Sequence, residues 1–331
     1  MVNFWFSAFK PVILTIEILA VAVGLATVFG FLGKLWWGFE LLDHLRLQYV
    51  WVLVLVLVMN AFVRHRWVWV LGIPLGLNLA LILPLFWHPI SIKNLPTENT
   101  LRILHVNLDR DNSQFHRAID YIRSQDVDIV FLQEVTPTGF DRLKSDLSQY
   151  RVILSRPQTN SQGVAMLVPA TPSGAIELLN PPEIIHLPDR SERPLITATI
   201  RWQGREVKVL SLHTTRPRNA GTSQFQQREF DEVARWSRQQ QDNGYPVIIL
   251  GDFNNTPWSG RSRQFLRSGN LIDSQRGFGL QPTWMAGLPF PLQISIDRCV
   301  YSRQIGTVNR KIGSAIGSDH SPLWVELTQI P

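Results

Sequence analysis

Three long apolar runs in the first 88 residues constrain this chain more than any other feature. Residues 11–33 lie between Lys10 and Lys34 with Glu17 as their only charge. Residues 47–63 lie between Arg46 and Arg64, and residues 67–87 between Arg66 and His88, with no charge inside either run. A helix rises ~1.5 Å per residue, so roughly 20 apolar residues cross a ~30 Å hydrocarbon core. The middle run is the shortest and would borrow Leu45 or tilt little. Trp36, Trp37, Trp51, Trp67, Trp69 and Trp87 stand near the run ends, where interfacial aromatics collect. Gly72, Pro74 and Gly76 weaken a helix in water but are tolerated in a span. A cleaved signal peptide has one short apolar run and no second or third. The pattern predicts an all-α anchor of three transmembrane helices (about 11–33, 47–63 and 67–87) within residues 1–90, hence a multi-pass integral membrane protein with the lipid bilayer as a partner. Glu17 reads as a residue snorkelling towards the interface or facing a neighbouring helix. Three spans put the two ends of the chain on opposite sides. Lys10, Arg64 and Arg66 balance Lys34, Arg46 and Lys93. The tight Arg64-His65-Arg66 loop, which lacks acids, leans towards the cytoplasm and puts the C-terminal domain outside it.

Composition narrows the remainder. With 45% hydrophobic residues and a net charge of +6, the chain is not disordered. Its one cysteine, Cys299, excludes a disulfide scaffold and a Cys-based zinc site. Beyond residue 90 the chain carries 27 basic and 23 acidic side chains, too even a balance to argue for a basic nucleic-acid module. No protein partner can be inferred. From about Asn94 the texture changes, with residues 91–99 as a linker. Residues 101–107 and 127–132 read as strands, as do 151–154, 164–168, 195–202, 206–212, 246–250, 295–301 and 321–327. Residues 113–125 carry a helical stripe with Ser113 as the expected N-cap, and residues 223–241 a second helix with Phe230, Val233, Ala234 and Trp236 on its inner face. Residues 169–183 and 277–291 are Pro/Gly-rich and read as loops. Many short strands with few helices suggest layered sheets.

Several strands end in polar residues foreign to a core: Asn107 after LRILHV, Gln133-Glu134 after VDIVFL, His213 after VKVLSL, Asp252 and Asn254 in GDFN after PVIIL, Asp297 in SIDRCVYS, and Asp319-His320 in GSDHSP. Cleaving a phosphate ester needs an activated water, neutralisation of the phosphoryl oxygens and help for the leaving group. Glu134 and Asn107 offer hard oxygen ligands of the kind magnesium prefers. Asp252 can orient or deprotonate the attacking water. Asn254 can donate to a phosphoryl oxygen or orient that water. His320 can hold a phosphoryl oxygen as it gains charge, provided a partner fixes its tautomer. Arg193, Arg216 and Arg218 could meet an anionic substrate, although Arg218 reads rather as a solvated side chain.

In these blocks (HVN, LQEV, LHT, GDFN and GSDHSP, in that order) the chain resembles the endonuclease/exonuclease/phosphatase superfamily over residues 100–331. The resemblance implies an α+β four-layer sandwich, two packed mixed β-sheets flanked by helices, as a catalytic domain following the anchor. It implies a hydrolase with Mg2+ or Mn2+ as cofactor, Asn107, Glu134 and Asp319 on the metal side, and Asp252, Asn254, His213, His320 and Asp297 as catalytic residues, Asp297 being the partner of His320. Thr283 in PTW resembles a family phosphate contact, though a plain loop threonine fits it as well. Val135-Thr136 after Glu134 departs from the apurinic endonucleases. Asn255-Thr256-Pro257-Trp258 after GDFN departs from the inositol phosphatases. GDFN-x-TP behind three spans looks like a membrane-anchored bacterial branch. The function expected is a membrane-anchored, metal-dependent phosphoesterase acting on a lipid head group, a nucleotide or nucleic acid. An extracytoplasmic nuclease, or a non-catalytic binding protein on the same fold, are the alternatives.

Overall fold

The computed structural model of the protein describes residues 2–61, 65–88, 96, 98–171, 174–189 and 191–330. Arg64, Lys93 and most of the expected linker 91–99 lie outside the described residues. The chain forms two compact units: Met1–Pro84 with Trp258–Gly260, and Leu85–Pro257 with Arg261–Pro331.

The first unit is helical: α1 (Val2–Gly30), α2 (Trp37–Asp43), α3 (Arg46–Ala61) and α4 (His65–Ile82). Ala20, Val23, Tyr49, Leu53, Val56 and Leu71 form its apolar centre. Among the described residues no single helix is long and apolar enough to cross a membrane. The pair Trp37–Asp43 and Arg46–Met59 meets the length and composition of a span together, with a bend of 62° between them. Arg46 lies in the first turn of α3, fully buried. It is ion-paired with Asp43, bonded to Asn78 Oδ1 at 3.0 Å, and stacked 4.3 Å from the centre of the Phe31 ring. A guanidinium out of water needs such partners, and here the helical unit supplies them.

The second unit holds two mixed sheets. One runs in the order β12 (Ile305–Ile312), β13 (Leu323–Gln329), β1 (Leu101–Asn107), β2 (Ile129–Gln133), β4 (Val164–Pro169), β3 (Tyr150–Arg156). The other runs β10 (Leu271–Asp273), β11 (Asp297–Ser302), β9 (Val247–Asp252), β8 (Arg205–His213), β7 (Leu195–Trp202), β5 (Ile176–Leu178), with β6 (Glu183–Ile185) also on β7. β1 pairs parallel with β2, and β8 with β9. The main core lies between the sheets and draws on Ile103, Phe131, Val209, Leu250, Cys299 and Val325 among others. A second cluster packs the first sheet against α5 (Phe115–Arg123) and α6 (Pro137–Asp146). A third packs the other sheet against α7 (Ala220–Asp242) and α8 (Gly260–Gly269). Helix, sheet, sheet and helix are the four expected layers.

The expected strands fall within two residues of the observed ones at most ends. β5, β6, β10 and β12 were not anticipated, nor were α6 and α8. Three of those strands have three residues each, and β12 carries Asn309, Arg310 and Lys311 beside a bulge between Thr307 and Asn309. The loop expected at 169–183 contains β5. Ser113 does not cap α5: the N-cap position is Gln114, without a side-chain hydrogen bond.

Side chains along a strand alternate faces. Leu101 and Ile103 of β1 enter the inter-sheet core, so His105 and Asn107 share that face. The same parity carries Val207 and Val209 on to Ser211 and His213, and Ile248 and Leu250 on to Asp252. In β11 it puts Asp297 in line with Cys299 and Tyr301. The polar ends of these strands therefore gather where the inter-sheet core stops.

Candidate active site

Asp297 is the centre of the cluster and is fully buried. Its Oδ2 bonds His320 Nδ1 at 2.7 Å and its Oδ1 bonds His105 Nε2 at 2.8 Å. Burial alone would lower His320, but the charge and hydrogen bond of Asp297, with Asp252 and Asp319 nearby, raise it to about 10. Asp297 shows the mirror image: burial would raise it, and the two histidines hold it far below the carboxylate range. With Nδ1 engaged, His320 Nε2 stands 3.9 Å from Asp252 Oδ2 and 3.7 Å from Asp319 Oδ1. Both distances are too long for a hydrogen bond, so this N–H can turn to a substrate.

Asp252 faces His320 from β9. Asn254 donates to it twice, from its backbone N to Oδ1 (2.7 Å) and from Nδ2 to Oδ2 (3.1 Å). Asn254 Nδ2 also donates to Thr214 O at 3.0 Å. Burial raises the Asp252 carboxyl to about 7; Asp297 and Glu134 add to this and His320 opposes it. His213 Nε2 lies 3.6 Å from Asp252 Oδ2. Burial first, then the charge of Arg193, pushes His213 well below its ordinary value, so it is neutral.

Glu134 follows β2 at φ +57, in the left-handed region that Glu rarely adopts. Such strain is kept where a side chain must be aimed. Asn107 Nδ2 reaches Glu134 Oε1 at 3.3 Å and Asp252 Oδ2 at 3.4 Å, tying the two sheets' contributions together. Burial raises Glu134, and it also raises Asp109, which Asp319 pushes further the same way. Asp319 is exposed and accepts from Trp284 Nε1 at 2.8 Å. Among the described residues no three His, Cys, Asp or Glu side chains stand in ready ligating geometry. The donor chemistry nevertheless fits a hard divalent cation: carboxylates held up in pKa by burial mark negative charge that lacks compensation, and Asn107 and Glu134 offer oxygen donors.

The remaining expected residues take different places. Arg193 donates through Nε to Thr215 Oγ1 at 3.2 Å, and its NH1 group is buried with no hydrogen-bond partner among the described residues. Arg216 stacks over the Trp284 ring at 4.5 Å, at the rim beside Asp319. Thr283 is fully buried, and its hydroxyl accepts from the backbone N–H groups of Ile296 (3.2 Å) and Asp297 (3.0 Å). It therefore anchors the start of β11.

His105, Asp109 and Trp284 are not singled out in the sequence, and Gln133 stands out there only as part of the polar Gln133-Glu134 end of a strand, with no role assigned. Gln133 Nε2 donates to Leu212 O (2.9 Å), and Gln133 Oε1 accepts from Asp252 N (3.2 Å), bridging the sheets under the site. Gly251, at φ +143, makes the approach possible: a Cβ there would meet Leu212 O at 2.0 Å and Gln133 Nε2 at 2.6 Å. Parity with Ile103 and Phe131 was the available signal for His105 and Gln133.

Comparison with known proteins decides the family. The model of the endonuclease/exonuclease/phosphatase family matches residues 101–320. The chain belongs to that family. No curated protein matches it in sequence. Among solved structures, D. rerio TDP2 complexed with a single-strand DNA product is similar at 16% identity and TM-score 0.54, over 70% of this chain and 99% of that one. The human nocturnin catalytic domain with bound sulfate is similar at 18% identity and TM-score 0.55, over 70% and 95%. A mannosyl-6-phosphatase from Bacteroides thetaiotaomicron is similar at 18% identity and TM-score 0.53, over 69% and 99%. At these identities the likeness is one of fold.

Proposed function

We propose that this chain is a divalent-metal-dependent phosphoesterase tethered to a membrane by its N-terminal helices. One observation carries the reading: a fully buried Asp297 holds His320 as a cation opposite Asp252, a carboxylate whose proton affinity sits near neutrality. Asp252 takes the proton of the attacking water, and Asn254 fixes the rotamer in which it does so. His320 Nε2–H donates to the phosphoryl oxygen as charge builds there, and removing one such contact typically costs ~10²–10³ in rate. Neutral His213 supports Asp252 without adding charge. Arg193 and Arg216 offer cations to the substrate's anionic groups. Held by Glu134 and Asn107, with Asp319 on the same side, magnesium or manganese would supply positive charge to the phosphoryl oxygens. The tether is supported by the exposed Leu14, Ile18, Leu25, Leu55, Val70 and Ile73 of the helical unit, since such crowding of bare apolar side chains marks a surface meant for another phase.

Hydrolysis of bis-p-nitrophenyl phosphate by the full chain tests the chemistry. It should require magnesium or manganese and vanish in Glu134→Gln. Metal-independent turnover, or a fully active variant, defeats the proposal. A panel of plasmid DNA, phosphomonoesters and phospholipids then assigns the substrate, with DNA cleavage alone pointing to a nuclease. We further propose that the catalytic domain lies outside the cytoplasm. Protease added to intact spheroplasts should remove it, and protection until lysis reverses the orientation.

A further inference from the structure

The described surface beyond His88 exposes large hydrophobic side chains at one place. Leu288 (44% exposed), Phe290 (44%) and Leu292 (51%) lie within five residues of one another. The stretch 283–293 contains no charged residue.

This loop is fastened to the active site. Trp284 pairs by backbone with Ile294 at the loop's stem and forms a bridge with His320. Ala286 N donates to Asp319 O at 3.0 Å, and Trp284 Nε1 to Asp319 Oδ2. The loop also closes on itself: Leu288 N donates to Met285 O (2.8 Å), Leu292 N to Pro289 O (2.9 Å), and Gln293 Nε2 to Leu288 O (2.7 Å). Pro289 and Pro291 restrict its backbone further. Exposure of these side chains is thus built in, with little ordering left to be lost on contact.

We propose that residues 285–293 dock into a lipid surface, so that the phosphate ester presented to His320 and Asp252 is that of a membrane lipid. The proposal rests on the phosphoesterase reading above for its substrate, but the docking stands by itself. Three half-exposed side chains are far too few for a stable protein interface, which needs about 800 Å² per partner. They suit shallow insertion at the acyl boundary, where uncharged apolar residues enter and aromatic rings sit at head-group level. Trp284 is such a ring, and Arg216 stacked on it brings a cation to the rim for anionic head groups.

The test uses the full chain in vesicles of phosphatidylcholine and phosphatidylglycerol (3:1). Cys299 is fully buried, so a thiol-reactive environment-sensitive dye reports from Phe290→Cys, or from Ser145→Cys on the exposed face of α6. The dye at 290 should shift to shorter wavelength and be quenched by nitroxide-bearing lipid, with iodide quenching at least ~5-fold weaker than at 145. Equal iodide quenching at both positions overturns the docking. Replacing Leu288, Phe290 and Leu292 together by Ser should lower phospholipid hydrolysis relative to bis-p-nitrophenyl phosphate hydrolysis by on the order of 10²-fold, at several-fold per buried side chain. An unchanged ratio refutes the loop's part in lipid cleavage. Insertion at 290 by a chain active on the soluble ester but inert towards phospholipid refutes the lipid substrate alone. Failure on the soluble ester as well is failure of the phosphoesterase reading, which leaves the dye result to decide docking.

Discussion

Asp297→Asn is the sharpest perturbation of this site, because one carboxylate serves two histidines. Asn keeps the size but offers one acceptor oxygen in place of two and removes the charge. His320 is raised to about 10 against an ordinary 6.5. A raised histidine keeps its charge to higher pH and loses it as pH climbs through the raised value, so the wild-type alkaline limb should lie near 10. Without the Asp297 charge and hydrogen bond, burial, the largest single influence on His320, is opposed only by Asp252 and Asp319, so the alkaline limb should move to lower pH. Each pH unit by which the limb then lies below the assay pH costs roughly 10-fold in cationic fraction, and so in rate. Lowering the assay pH to 6 should recover part of that loss. His105 also loses a carboxylate hydrogen-bond partner, and opening the buried Asp297–His320 ion pair costs about 3–5 kcal/mol of stability. The assay is therefore the pH–rate profile for soluble ester at a temperature where circular dichroism shows the variant folded. An alkaline limb that stays near the wild-type pH, or a loss equal at pH 6 and pH 9, would show that Asp297 does not keep His320 charged.

Gly251→Ala should destabilise the catalytic unit by more than about 2 kcal/mol, read in a thermal melt, because the new methyl meets backbone at Leu212 O and the positive φ disfavours any side chain. Burial raises Glu229 to about 7 despite hydrogen bonds from Thr215 and the charges of Arg193 and Arg261. Its native carboxyl binds protons more tightly than the unfolded one, so stability should fall as pH rises from about 4.5 to 7, by up to roughly 3 kcal/mol. Glu229→Gln should flatten that slope, and an unchanged slope means that other groups cause it. Arg193→Met should raise KM for an anionic ester about tenfold with a smaller effect on kcat; unchanged kinetics would place its guanidinium outside the substrate's reach.

Local alternation was enough to locate most of the catalytic unit. Strands such as 101–107 and 195–202 show in the sequence because a strand bearing on a core alternates or runs apolar, and the polar residue that ends each run inherits the parity of the residues before it. Asn107, His213 and Asp252 were legible for that reason, whereas Glu134, on the opposite parity and turned at φ +57, and Asp319-His320, in the connection before β13, were legible by residue type and order. The edge strand 305–312 was not, since its outer residues meet no core. Four assignments came only from the tertiary structure. His105 belongs to the site because Asp297, 192 residues away, arrives opposite it. Gln133 becomes a bridge between sheets because Gly251 lets another backbone within reach of its amide. Thr283 turns inward to two backbone donors. Arg46 reads as a charge ending an apolar run, yet it is buried against Asp43 and Asn78 because α4 brings Asn78 beside it. The pattern along a chain records which side of an element avoids water. Which groups share a proton or a charge depends on distances of about 3 Å between residues far apart in sequence, and packing alone sets those.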